Sequence, residues 1–75
     1  MGRLGGISGK RAVDAFRRDG WVVVGQVGSH VMLTKAGRRV NLSIPQHREL
    51  STGTLRALIR HVELTVEAFL ELLDN

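Results

Sequence analysis

The sequence predicts an α+β fold of two layers, in the order αβββαα, with a three-stranded antiparallel sheet that carries its helices on one face. Three observations lead to it. Trp21 to Ile44 holds three short apolar or alternating runs separated by glycine-containing turns, whereas the stretches on either side space their apolar residues as helices do. With 75 residues there is room for one small domain, 1–75, whose thin core must use every apolar stripe, so the sheet has to be covered by helices of the same chain.

Met1 to Ile7 carries three glycines and no periodicity and reads as a loose lead-in. Ser8 is placed to cap a helix from Gly9 to Asp19, with Ala12, Val13, Ala15 and Phe16 on its inner face, Lys10, Arg11, Arg17 and Arg18 in water, and Gly20 at the stopping position. Trp21-Val22-Val23-Val24 is β-branched and too short for a helix. It predicts a first strand ending near Gly25 or Gln26, the most buried strand of the three. After a turn at Gly28, Ser29 to Thr34 is a second strand; Lys35 to Arg38 reverses the chain, and Arg39 to Ile44 is a third, which Pro45 ends. In that third run Val40, Leu42 and Ile44 alternate with Arg39, Asn41 and Ser43, giving one dry and one wet face. An even-numbered loop then sets Thr34 against Arg39, Met32 against Asn41 and His30 against Ser43, which leaves His30 on the wet side. Ser51 or Thr52 caps a second helix with Leu55, Leu58, Ile59 and Val62 as its stripe. Thr65 caps a last one with Val66, Phe69, Leu70 and Leu73. The first two helices are expected to cover the sheet.

Composition narrows the function. All 11 Lys and Arg lie in residues 1–60 against Asp14, Asp19 and Glu49, a net +8, while residues 61–75 carry four carboxylates and no cation, a net −4. A basic working face with an acidic helix elsewhere is suited to a polyanion, and nucleic acid is the first candidate. With no Cys there is neither a disulfide nor a thiolate metal site, and an unbridged small core is more typical of the cytoplasm than of secreted domains. The longest aliphatic or aromatic run, Trp21 to Val24, is far below the roughly 20 residues of a spanning helix, so no membrane role is expected.

The compact polar cluster is Gly28-Ser29-His30. An imidazole on a basic surface can move protons near neutral pH, and His30 is therefore the candidate base, with an ordinary surface histidine as the plainer reading. Ser29 lacks the partners of a hydrolase triad and suits a backbone or phosphate hydrogen bond. His47 follows the third strand and offers a second acid or base, a phosphate contact, or simply a loop residue; His61, near the end of its helix, is assigned no role. Three histidines without Cys or a nearby carboxylate match no zinc spacing, so no metal or cofactor is expected. Lys10, Arg11, Lys35, Arg38 and Arg39 form a candidate phosphate-gripping rim, since nine of the 11 cations are arginines and a guanidinium forks onto phosphate oxygens. Trp21 reads as core, with base stacking as its alternative.

Taken in order, Ile7-Ser8-Gly9-Lys10, Asp19-Gly20-Trp21, Gln26-Val27-Gly28-Ser29-His30, Gly37-Arg38-Arg39-Val40, Ile44-Pro45, Gly53-Thr54-Leu55-Arg56, Thr65-Val66-Glu67 and Phe69-Leu70-Glu71-Leu72-Leu73 resemble the HicA-type toxins of bacterial toxin–antitoxin pairs over nearly the whole chain. The resemblance implies a fold like the double-stranded-RNA-binding domain. It also implies an mRNA interferase that cuts RNA without a metal, a catalytic histidine at His30 within Gly28-Ser29-His30, and a HicB-type antitoxin that covers the active face. On this view His30 takes a proton from a ribose 2′-hydroxyl, Arg38 or Arg39 steadies the charge at phosphorus, and His47 or solvent supplies the acid. A non-catalytic double-stranded-RNA-binding module is the rival reading. The chain departs from the family in carrying Glu63 where a glycine is usual and in a short segment, Gln46 to Glu49, after the third strand.

Overall fold

The computed structural model describes residues 3–74. The elements follow the expected order: α1 (Gly9–Arg18), β1 (Val22–Val27), β2 (His30–Thr34), β3 (Leu42–Pro45), α2 (Thr52–His61) and α3 (Val66–Asp74). The strands form one antiparallel sheet in the order β1-β2-β3. Each helix starts at a hydroxyl that takes up an otherwise unpartnered backbone donor: Ser8 accepts from the Arg11 N–H at 3.1 Å, Ser51 from Thr54 at 3.1 Å and Thr65 from Ala68 at 3.0 Å. Ser51, not Thr52, is the cap of α2.

The core lies between one face of β2–β3 and the helices. Leu33, Leu42 and Ile44 from the sheet meet Phe16 of α1, Leu55 of α2 and Phe69 of α3, all buried. Phe16 and Phe69 are tilted at 46° with centroids 5.1 Å apart, joining α1 to α3. The covering layer thus differs from the expectation that α1 and α2 suffice, because α1 packs on β3 and α3, and α2 meets α3. One close approach sets the seating of α1. A Cβ on Gly9 would collide with the Pro45 carbonyl oxygen and stand 2.9 Å from Gln46 Cα, so only glycine lets the first turn of α1 reach the end of β3.

Three further sequence expectations are corrected. The lead-in is not loose along its described part: Leu4 and Ile7 are buried, the Leu50 N–H donates to the Ile7 carbonyl at 2.8 Å and the Gly6 N–H to the Glu49 carboxylate at 3.0 Å. Met1 and Gly2 lie outside the described residues. Second, β1 extends to Val27 and is the most exposed strand, every one of its six residues open to solvent. It is an edge strand, and the helices gather over β2 and β3; Trp21, the residue just before it, is the one that enters the core.

Third, β3 begins at Leu42 and the register is displaced by two residues from the expected one: Leu33 pairs with Leu42, Met32 with Ser43, Val31 with Ile44 and His30 with Pro45. The connection is longer because Lys35–Arg38 forms a turn, closed by Arg38 N–H to Lys35 O at 3.0 Å, and the Arg38 side chain then reaches the end of α2. A slip of two preserves which side chains share a face. Val31, Leu33, Leu42 and Ile44 therefore remain on the covered side and His30, Met32 and Ser43 on the open side.

Candidate active site on the open sheet face

Val27 and His30 pair directly, so Gly28 and Ser29 alone make the β1–β2 turn. Gly28 has φ +59° and Ser29 lies outside the positive region, the signs of a type II′ hairpin turn, which matches the twist of the two strands and favours glycine at its first position. The turn is held from both sides. The Gln26 side-chain amide donates to the Gly28 carbonyl at 3.0 Å, and the Gln46 N–H donates to the Ser29 carbonyl at 2.7 Å. The next residue, His47, gives its carbonyl to the Gly9 N–H at 2.9 Å. The hairpin turn, the segment after β3 and the start of α1 thus converge at one end of the sheet.

His30 opens β2 at that end and is exposed. Its Nδ1 lies 3.0 Å from Ser43 Oγ on β3, a diagonal contact since Ser43 pairs with Met32. The sequence expectation set Ser43 directly opposite His30 and gave it no part in the site; the period-two alternation that placed both on the wet face was the signal for the contact. Holding Nδ1 against β3 turns Nε2 away from it, toward the open side. Around the ring stand its strand partners Val27 and Pro45, and further along the same face of β1 lies Val22, so the surface is partly apolar: Val22 and Val27 are 58 and 71% exposed.

The other candidate residues fall into two groups. Lys10 and Arg11 are exposed on the first turn of α1, and His47 is exposed in the segment whose backbone adjoins that turn, so all three belong to the His30 end. Lys35, Arg38 and Arg39 lie past the far end of β2, about 14 Å or more along the strand from His30. Lys35 pairs with Asp19 at 3.3 Å. Arg38 donates to the Val62 carbonyl at the end of α2 at 2.9 Å, with its guanidinium 6.0 Å from the Trp21 ring centroid. The geometry therefore does not set Arg38 or Arg39 beside the His30 ring, as the sequence expectation required; Arg38 instead holds the end of a helix. Trp21 is 2% exposed and offers no ring to a base.

The chemistry available at the His30 end is proton transfer on an open surface beside cations. A broad groove of about 830 Å³ lies elsewhere, between the end of α1 and the start of β1, lined by Asp14, Arg17, Arg18 and Trp21 among others. Among the described residues no three His, Asp or Glu side chains gather as a metal-binding group, and no helix is long and apolar enough to cross a membrane. An open sheet face suits an extended polymer better than a small molecule, which needs a concave pocket.

A comparison with curated proteins gives no match. Residues 9–64 match the family model described as HicA toxin of bacterial toxin-antitoxin, a span that takes in the hairpin turn, His30, Ser43 and both well-covered helices α1 and α2. The chain belongs to the HicA family, the toxins of bacterial toxin–antitoxin pairs.

Proposed function

We propose that the chain is a metal-independent endoribonuclease acting on mRNA, in which His30 is the general base, and that a HicB-type antitoxin holds it inactive. Membership of a toxin–antitoxin family implies an antitoxin partner. One observation carries this reading: an exposed imidazole on the uncovered sheet face, tied through Nδ1 to Ser43 with Nε2 directed away from the strand that holds it.

In the reaction, His30 Nε2 accepts the proton of a ribose 2′-hydroxyl as that oxygen attacks the adjacent phosphorus. The bond from phosphorus to the 5′-oxygen breaks and its electron pair leaves with that oxygen, which is protonated by His47 or by solvent. The products are a 2′,3′-cyclic phosphate and a 5′-hydroxyl. Lys10 and Arg11, at the same end of the molecule, serve as phosphate contacts for the bound strand, with Gly28 and Ser29 shaping the turn beside the scissile bond. Lys35, Arg38 and Arg39 lie far enough along the sheet to meet only RNA that continues past it.

The test is cleavage of a defined RNA by the intact chain and by His30→Ala. Loss of a general base lowers turnover by about 10²- to 10⁴-fold. RNA binding by His30→Ala should persist, and wild-type cleavage should persist in excess EDTA. Cleavage by His30→Ala at the wild-type rate would show that another group is the base, and a wild-type chain that binds RNA without cutting it would leave the rival, a module that binds double-stranded RNA. Loss of cleavage in EDTA, restored by a divalent ion, would overturn the metal-free reaction.

A further inference from the structure

We infer that Ser43 is a positioning residue that sets the tautomer of His30, accepting a hydrogen bond from Nδ1–H so that Nε2 presents its lone pair to the substrate. The inference rests on His30 acting as the base. A neutral imidazole carries one proton on either nitrogen, and only the nitrogen without it can accept another. In this structure Nδ1 is 3.0 Å from Ser43 Oγ, so it is occupied by the protein, and Nε2 is the nitrogen left for the ribose. A base at Nε2 requires the proton at Nδ1, and that in turn makes Ser43 the acceptor. The Ser43 hydroxyl hydrogen is free to point into solvent, since the residue is exposed. The same bond keeps the ring in one orientation across the β2–β3 ladder, and it survives protonation of Nε2 because the imidazolium still donates from Nδ1.

The placement of Ser43 follows from the register. Pro45 pairs with His30 and has no side-chain hydroxyl to offer, and the residue two positions earlier on the same face, Ser43, carries the one that meets the ring. The covered-face residues on either side of it, Leu42 and Ile44, are buried, which pins the β3 backbone under Ser43. The hydroxyl is thus held by the core even though it stands in water.

The experiment uses the intact chain with ¹⁵N-labelled histidine, its ring nitrogens read by NMR at a pH where His30 is neutral, together with single-turnover cleavage of RNA. Wild type should show His30 mainly with the proton on Nδ1. Ser43→Ala should shift the ring toward the Nε2–H form and lower the cleavage rate at saturating RNA by about three- to tenfold, the worth of one neutral hydrogen bond, with little change in RNA affinity. Ser43→Thr, which keeps the hydroxyl and suits a strand, should restore both the tautomer and the rate. A wild-type ring protonated on Nε2, or a Ser43→Ala chain with unchanged tautomer and rate, overturns the inference. His30→Ala separates the two levels: if it is inactive while Ser43→Ala is unaffected, only the role of Ser43 fails, and if it cuts as fast as wild type, the base itself was misassigned.

Discussion

Two residues at helix ends show how one backbone requirement is met well in one place and poorly in another. The ends of α1 and α2 are built alike. In α1, Gly20 N–H donates to Arg17 O and Trp21 N–H to Phe16 O; in α2, Glu63 N–H donates to Arg60 O and Leu64 N–H to Ile59 O, the paired bonds of a Schellman motif. Both motifs need a left-handed residue, and the chain supplies Gly20 at φ +100° in one case and Glu63 at φ +64° in the other. A side chain there costs about 1 kcal/mol or more relative to glycine. Glu63→Gly should therefore stabilise the fold by about 1 kcal/mol and raise its melting midpoint by roughly 4–8 °C, followed by thermal denaturation. The Val62 carbonyl at the same helix end takes a charged hydrogen bond from Arg38, so Arg38→Ala should lose about 1–2 kcal/mol in urea unfolding while Arg39→Ala, a solvated neighbour, stays within about 0.5 kcal/mol. Equal effects of the two would mean that Arg38 is merely a surface cation. The caps were legible from local spacing, whereas the role of Arg38 was not, because its partner is 24 residues away and leaves no mark on the neighbouring letters.

Among the elements, β1 is where a local reading goes astray. Four consecutive apolar residues suggest burial, but a run of valines states only that the backbone is extended; whether the strand is central or at an edge depends on strand order, which no window of six residues contains. A bulge between Val23 and Gly25 further breaks its ladder with β2, as is common on edges. The alternation of β3 is more informative because one of its faces is covered, and it placed Leu42 and Ile44 inward and Ser43 outward even though the expected pairing was two residues off. That is why the face of His30 could be read before the register. The difference between strands has a measurable consequence. Val24→Thr and Val27→Thr should change unfolding free energy by less than about 0.5 kcal/mol, whereas Leu33→Ala on the covered face of β2 should cost about 2–5 kcal/mol. Valine variants as damaging as Leu33→Ala would show that β1 is packed against something in the folded chain. Gly9→Ala belongs with the damaging group, since its methyl would displace the start of α1 from Pro45.

Across the whole molecule the acidic helix lies behind the sheet as seen from His30, in a helical layer that also carries cations: Lys10, Arg11, Arg17 and Arg18 on α1 and Arg56 and Arg60 on α2. Glu67, Glu71 and Asp74 are exposed on α3, which packs on α1 in the helical layer, while His30 sits on the sheet face turned away from that layer. The molecule measures 31 × 26 × 21 Å, and the acidic helix is separated from an RNA strand on the open face by the sheet itself. Screening then decides how strongly it is felt. At about 0.15 M salt the Debye length is roughly 8 Å, and repulsion from α3 is largely screened out; at about 0.01 M it is roughly 30 Å, comparable with the whole protein. Glu67→Gln with Glu71→Gln should accordingly tighten RNA binding at low salt and leave it unchanged at physiological salt. Lys10→Ala with Arg11→Ala should weaken binding at both, and flatten the dependence of log K on log salt by about 0.7 for each phosphate of a single strand that is no longer neutralised. Binding titrations of wild type and these two double variants against salt distinguish the two faces: if removing the α3 carboxylates tightens binding as much at about 0.15 M as at low salt, the RNA must run close to the acidic helix, and the open sheet face is not where it lies.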